Sequence, residues 1–344
     1  MKFDYVIGNP PYQDNTIGDN DSFAPPVYDK FIDAAYTIAD KVELIHPARF
    51  LFNAGSTPKA WNKKMLSDEH LKILHCESSS KVIFPNTDIK GGVAISYHDN
   101  TKNFGEIGTF TMFDELNSIM KKVKSRNDFK SLSDIAVSAY TFHLTECVYK
   151  DNPKLINKPS KGHEYDLKSN VFDYLSEIFY DKKPNDGCEY VKVLGRQNNE
   201  RVYKYIKRAY LTNSANFEKY KVFIAGANGS GAIGEVLSTP LIGTPLIGTT
   251  ESFMSIGYFE TETEAINAMK YIKSKFNRAL LGILKVTQNL TPEKYKYVPM
   301  QDFSDNSDIN WNTSIRNIDE QLYKKYDFTQ EEISFIESKV KEME

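Results

Sequence analysis

Apolar and polar positions over the first hundred residues follow two periods in turn. Phe3 to Ile7 is a short aromatic and β-branched run closed by Gly8, the pattern of a buried strand. From Tyr28 to Ala39 the apolar residues fall at Phe31, Ile32, Ala35, Tyr36 and Ala39, which predicts a helix with one buried face. Val42 to Ile45 predicts a second strand ending at His46-Pro47, Leu71 to Leu74 a third and Gly92 to Tyr97 a fourth. Strand, helix, strand, helix, strand is the α/β alternation.

Beyond residue 100 the pattern is coarser. Asp114 to Asp128 is charged and predicts a connecting helix, while Ser131 to Asp186 is mixed and uninformative. Arg201 to Tyr210 separates at helical spacing, with Tyr203, Ile206 and Tyr210 on one face and Arg201, Lys204 and Arg208 on another. Lys221 to Ala225 predicts a strand followed by the glycine-rich Gly226 to Gly231 and a tandem Thr-Pro-Leu-Ile-Gly, Thr239 to Gly243 and Thr244 to Gly248. Glu262 to Ile283 predicts a helix burying Ile266, Met269 and Ile272, with Lys273, Lys275 and Arg278 among its charges. The end of the chain predicts a helix pair: Ser314 to Tyr326, then a capping box at Thr329 and Glu332 with Ile333, Ile336 and Val340 as the apolar face.

Composition narrows the class. At 344 residues, about two domains are expected, and a 40% hydrophobic fraction is enough for a real core. No apolar run approaches the ~18 residues of a membrane span, and Met1-Lys2 leads into only a brief apolar run, so no secretory signal is expected. Cys76, Cys147 and Cys188 form neither a disulfide framework nor a zinc pattern, which suits a reducing cytoplasm; His70, His75 and Cys76 read as strand-edge residues, and no metal is expected. The net charge is -3, but it is unevenly spread. Val191 to Met300 carries 15 Lys/Arg against 8 Asp/Glu, and Gln301 to Glu344 carries 5 against 11. A basic block within an acidic chain is the footprint of nucleic-acid contact, although charge runs are also ordinary solvated faces.

The first strand runs into Asn9-Pro10-Pro11-Tyr12. Each proline fixes its own φ and drives the residue before it toward extended backbone. Asn9 and Pro10 therefore hold carbonyl groups in set directions, and an aromatic ring follows. Two acceptors and a flat ring suit the grip of a planar molecule bearing an amino group; a stiff turn is the bland alternative.

The tetrapeptide resembles the catalytic motif of amino-group methyltransferases, above all the adenine-N6 DNA methyltransferases of type II restriction–modification systems. The resemblance implies that the Asn9 side-chain oxygen and the Pro10 carbonyl accept hydrogen bonds from the exocyclic amine of a flipped adenine. The amine's lone pair is thereby aimed at the methyl of S-adenosylmethionine, with Pro11 stiffening the loop and Tyr12 stacking on the base. The stretch Lys81 to Gly92 resembles the segment of those enzymes that stacks on the other face of the base, which makes Phe84 the matching residue. Protein-glutamine and RNA methyltransferases use the same four residues, and they stay open as alternatives.

One departure is decisive for activity. The family binds its cofactor with a glycine-rich turn upstream of the motif, and only Met1 and Lys2 stand there in this sequence. The expectation is that a second chain supplies the missing half, or that the chain is a fragment with impaired activity, and that Phe3 to Ile7 is left as an exposed edge. Gly226 to Gly231 is the one downstream candidate for the turn, set against a flexible turn in a DNA-contacting domain; no Gly-Lys-Ser/Thr follows it.

The C-terminal portion resembles the target-recognition region of type II adenine methylases, including those fused to an endonuclease, over Leu194 to Tyr210, Ile224 to Gln288 and Trp311 to Glu337. The resemblance implies an α/β chain: a partial Rossmann-like methyltransferase sheet, its second half, over residues 1–115, an α+β DNA target-recognition domain over 116–300 and a C-terminal helical segment over 301–344. Double-stranded DNA is the expected partner, contacted by Arg196, Arg201, Lys204, Lys207 and Arg208 through phosphates and by Lys285, Gln288 and Asn289 from a loop able to reach base edges. A DNA-binding specificity module that no longer catalyses is the rival reading.

Overall fold

A computed structural model describes residues 2–14, 24–52, 55–77, 79–87, 89, 91–214 and 216–343. The chain divides into two compact units, Met1–Asn117 and Ser118–Glu344. Asp88 and Lys90, within the stretch that resembles the base-stacking segment, lie outside the described residues.

Unit 1 is built on a four-stranded sheet. Strand β1 (Phe3–Gly8) is followed by helix α1 (Tyr28–Ile38), β2 (Ala39–Pro47), α2 (Lys59–Leu66), β3 (Leu71–Glu77), the single turn α3 (Ser80–Ile83) and β4 (Val93–Asp99). The strand order is β1-β2-β4-β3. β1 runs parallel to β2, with Gly8 opposite Leu44, whereas β4 is antiparallel to both β2 and β3. The helical spacing of α1 buries Ile32 and Ala35, which pack with Val42, Leu44, Phe50, Leu51, Trp61, Met65 and Ala94 in one core. At the open edge, Phe3, Tyr5 and Ile7 of β1 are 49%, 45% and 73% exposed, and Phe31 and Ile38 of α1 also face solvent.

Helix α4 (Asp114–Lys124) contains the division between the units. Unit 2 holds β5 (Ala136–Val137), the short helices α5 (Cys147–Asp151) and α6 (Val171–Tyr174), β6 (Tyr190–Gln197), β7 (Glu200–Lys207), β8 (Tyr220–Ala225), β9 (Leu241–Gly243), β10 (Ile247–Thr249) and β11 (Phe253–Phe259). Helices α7 (Glu262–Lys273), α8 (Lys275–Leu281), α9 (Ile315–Lys325) and α10 (Gln330–Lys339) complete it. Its strands form two sheets, β10-β6-β7 and β5-β11-β8-β9. The tandem Thr-Pro-Leu-Ile-Gly is thus split: its first copy supplies β9, antiparallel to β8, and its second leads into β10, parallel to β6.

Two expected helices are corrected. Arg201 to Tyr210 is strand β7 and a short 3-10 turn, not a helix. Asn198 and Asn199, with φ of 52° and 63°, turn the chain back so that β7 pairs antiparallel with β6 along its whole length. Two consecutive left-handed residues are what a tight hairpin demands, and asparagine accepts that conformation more readily than most. Residues two apart then share a face, so Arg201 and Lys204 point to opposite sides and the expected cationic stripe is broken. The run from Glu262 is two helices rather than one. Ser274 is extended (ψ 150°) and its hydroxyl accepts from the Asn277 amide, while the Asp319 carboxylate takes the amides of Lys275 and Phe276. Ile266 is 37% exposed; Ala265, Ala268, Tyr271 and Ile272 form the buried side of α7, and Arg278 of α8 is buried.

The capping box at Thr329 is formed, and its Glu332 also holds Lys122 at 2.8 Å and Ser118 at 2.7 Å, so α10 is tied to the start of unit 2. The hairpin makes a direct prediction. Asn199→Val should lower the stability of unit 2 by about 1–2 kcal/mol, the cost of forcing a branched side chain left-handed, while Asn199→Gly should leave it unchanged or higher. Chemical denaturation would read both; equal midpoints would contradict the turn.

Candidate functional site

Strand direction gathers the chemistry of unit 1. Because β1 and β2 are parallel, the loop leaving Gly8 and the segment leaving Pro47 emerge at the same end of the sheet. Pro47 in turn pairs with Val93, and Val93 with Glu77, so the segment between β3 and β4 lies at that end too. Open α/β sheets bind ligands at the carboxyl ends of their parallel strands.

The three segments enclose a cleft of about 500 Å³, within the ~300–1,000 Å³ of small-molecule sites. Tyr12 and Gln13 come from the first, Pro47 and Arg49 from the second, Thr87 and Ile89 from the third, with Pro26 and Tyr28 behind them. Tyr12 is held by its own backbone: its carbonyl accepts from the Val27 amide at 3.2 Å, and the Asp14 amide donates to Pro25 at 2.9 Å. Its ring is half-buried, and its hydroxyl is buried with no hydrogen-bond partner among the described residues. Burial raises its pKa. Asn9 and Pro11 are exposed and Pro10 is half-buried on the approach to Tyr12.

The third segment is pinned by Ser80. Its hydroxyl donates to the Thr87 carbonyl at 2.9 Å and accepts from the Ile89 amide at 2.8 Å. Phe84 sits in the same turn, its amide donating to the Ser80 carbonyl and its own carbonyl accepting from Thr87. It is half-buried and is not among the residues lining the cleft. The structure therefore brings Tyr12 together with the loop that carries Phe84, not with the phenylalanine ring itself.

Beneath Pro47 the cleft has a neutral aromatic floor. His46 is fully buried; its Nδ1 lies 3.1 Å from the Pro47 carbonyl and its Nε2 2.8 Å from the Ser96 hydroxyl. A carbonyl only accepts, so the proton sits on Nδ1 and Nε2 accepts from Ser96. Burial pulls the His46 pKa down to about 4, so the ring is uncharged at neutral pH. It stacks with Tyr28 at 6.1 Å, and Tyr28 meets Trp61 edge-on at 6.2 Å. The Thr57 side chain donates to Asn62 at 2.7 Å. Sequence reasoning missed Tyr28, Arg49, Thr87 and Ile89. The available signal was the Pro47-Ala48-Arg49 step directly after a strand parallel to β1.

In unit 2 the expected DNA contacts fall into two groups. Arg196 and Gln288 are exposed. Arg196 donates to the Asn199 carbonyl at the hairpin turn, and by register it faces Arg201. Arg201 donates to the Thr239 carbonyl at 2.6 Å, Lys204 pairs with Asp181, and Arg208 donates to the Leu211 carbonyl while covering Phe217. Lys207 lies over the Tyr210 ring at 5.5 Å. Lys285, expected in an open loop, is buried between Glu235 and the Asn228 carbonyl.

The glycine-rich turn is filled from within. The amides of Ser230 and Gly231 donate to the Glu235 carboxylate at 2.8 Å and 3.0 Å, and Lys285 neutralises that carboxylate. A cofactor's acidic group would need those same amides. The next regular element is β9, where a cofactor turn should open a helix. Among the described residues, no group of three or more His, Cys, Asp or Glu is arranged to hold a metal, and no helix is long and apolar enough to cross a membrane.

Sequence comparison finds relatives for the N-terminal part of the chain. Residues 1–84 match the Eco57I restriction-modification methylase family. The match spans the N-P-P-Y loop, the Pro47–Arg49 step and Phe84. An "uncharacterized adenine-specific methylase" of Mycoplasma pneumoniae (strain ATCC 29342 / M129 / Subtype 1) is 33% identical over 95 residues, 27% of this chain and 22% of that protein. The resemblance to restriction–modification adenine methylases is thus shown at the N-terminal end, and the aligned part spans about a fifth of that curated relative. Two solved structures also align along most of the chain. The type IIG restriction endonuclease BpuSI matches 91% of this chain and 48% of its own, at 11% identity and TM-score 0.33. The type IIL restriction-modification enzyme MmeI, in complex with DNA, matches 97% and 56%, at 10% and 0.34. At such scores neither carries an argument about fold.

The buried histidine gives this methylase-like unit a pH signature. Between pH 6.5 and about 4 the unfolded chain takes up a proton that the folded His46 refuses, so stability falls as pH falls through that window. The loss should reach roughly 2–3 kcal/mol. His46→Gln should be less stable at pH 7 but should lack this component, so its denaturation midpoint should converge on the wild type toward pH 4. Parallel curves would contradict a neutral, buried ring.

Proposed function

We propose that unit 1 is the base-holding half of an adenine-N6 DNA methyltransferase of restriction–modification type and that unit 2 recognises its DNA target. The observation that carries this is the convergence of the N-P-P-Y loop with two further loops on one cleft, the first two of which lie within the stretch, residues 1–84, that matches the methylase family. A flipped adenine entering there meets Tyr12 as a stacking surface. The Asn9 side-chain oxygen and the Pro10 carbonyl, on the exposed approach, accept from its exocyclic amine. These acceptors draw the nitrogen toward tetrahedral geometry and fix the direction of its lone pair, and no strong general base is needed for that. Phe84, one turn from Thr87, closes on the second face of the base by a rearrangement of its loop.

The methyl donor of such enzymes is S-adenosylmethionine. The one glycine-rich turn of this chain does not fit it, because Glu235 already occupies the amides. In our reading the donor is held by a segment that covers the β1 edge, in the same polypeptide or in a second chain. The exposed Phe3, Tyr5 and Ile7 support such a cover, since an apolar edge of this kind is ordinarily paired or protected.

For unit 2 the DNA-facing surface shifts from a helix to the β6–β7 hairpin. By register Lys192 and Arg196 of β6 share a face with Arg201, Tyr203, Tyr205 and Lys207 of β7. Cations interleaved with tyrosines on a strand pair suit phosphate and groove contact. Gln288, exposed beside Thr287 and Asn289, reads base edges, and Lys285 supports that loop from below.

In the complete enzyme, Asn9→Ala should abolish methyl transfer while leaving DNA affinity within a few-fold, because the lost bond acts on the amine during reaction. Phe84→Ala should instead weaken capture of the flipped base by about 1–3 kcal/mol. Single-turnover methylation and a fluorescence anisotropy titration separate the two. Near-normal turnover in Asn9→Ala would end the catalytic assignment.

A further inference from the structure

Arg49 lines the cleft of unit 1 together with Tyr12 and is the one charged side chain among its described lining residues. Its stem is held by two backbone segments that only glycine permits. Gly55 (φ +84°) passes so close that a Cβ there would lie 3.1 Å from the Arg49 Cβ and Cδ. At Gly91 (φ +86°) a Cβ would lie 2.9 Å from Cγ. Both positions are left-handed, so a side chain would be strained there as well as crowded. The arginine is thus clasped along its carbons by loops from two sides. Arginine presents rigid, paired donors suited to a phosphate, and the neutral His46 behind Pro47 adds no competing charge.

We infer that Arg49 clamps a phosphate flanking the base in the cleft, so that the site takes a nucleotide and not a bare purine. This rests on the adenine reading of the cleft and extends it. A base swung out of a duplex brings its own backbone with it, and a cation beside the stacking tyrosine would hold that backbone and fix how deep the base enters. Among the described residues that line the cleft this role falls to Arg49, since the others carry no charge.

The test is a set of nucleotide titrations on the full chain at low salt, followed by amide chemical shifts or calorimetry. The ligands are deoxyadenosine, its 5′- and 3′-monophosphates, and thymidine 5′-monophosphate. One of the two adenine monophosphates should bind about tenfold more tightly than deoxyadenosine, as a charge-assisted bond to phosphate would give. In Arg49→Met, which keeps the clasped stem, that gap should close while deoxyadenosine affinity stays put. Arg49→Lys should retain part of the gap and guards against a folding defect. If neither monophosphate gains over deoxyadenosine, or if the gain survives in Arg49→Met, the clamp is wrong and the adenine cleft stands. An Arg49-dependent gain shared equally by thymidine 5′-monophosphate would keep the clamp and overturn the adenine reading. No binding by any of the four would overturn both.

Discussion

The parallel pairing of β1 with β2 is the constraint on which the site depends. Gly8 lies opposite Leu44, so the chain leaves both strands at one end of the sheet. Had β1 been antiparallel to β2, the N-P-P-Y loop and the Pro47–Arg49 step would sit at opposite ends. The antiparallel β4 then returns the segment of Thr87 and Ile89 to the same place. Three loops distant in sequence therefore meet, and the Ala48 amide, donating to the Gly92 carbonyl at 3.0 Å, ties the second to the third. The floor is set by burial: a neutral histidine bonded to Pro47 and Ser96 fixes where the second loop starts.

In unit 2 the decisive interactions are internal neutralisations. Lys285 and Glu235 close the glycine-rich turn, Asp319 holds the start of α8, and Glu332 ties α10 to Lys122. A buried carboxylate bonded to backbone amides is stabilised where an unpaired one would be costly. The basic excess of this unit is accordingly not all surface. Part of it is structural, and part is arrayed on the hairpin.

The elements of unit 1 were legible because their periods are unambiguous: Ile32 and Ala35 at helical spacing, and β1, β2, β3 and β4 as short apolar runs. Their extents were short by a few residues, because strand ends such as Ala39 and Asp99 are set by pairing partners and not by hydrophobicity. The β7 error has a physical source. Tyr203, Ile206 and Tyr210 fit a helix, yet Val202 and Ile206 fit alternation equally well, and the arbiter was the Asn198-Asn199 turn. The break at Ser274 was hidden because its second cap, Asp319, comes from α9. Lys285 looked like a loop donor because its partner Glu235 is 50 residues away. Of the cleft, Tyr12 was legible and Arg49 was not, because one of the two glycines that clasp it, Gly91, comes from another segment.

The central claim is that the cleft beside Tyr12 presents adenine for methylation. It is tested most directly by nucleoside mass spectrometry. The chain, expressed with the coding sequence that flanks it in cells whose DNA carries no methylated bases, should produce N6-methyladenine in that DNA. N4-methylcytosine in its place, or methylated protein glutamine with unmodified DNA, would contradict the account.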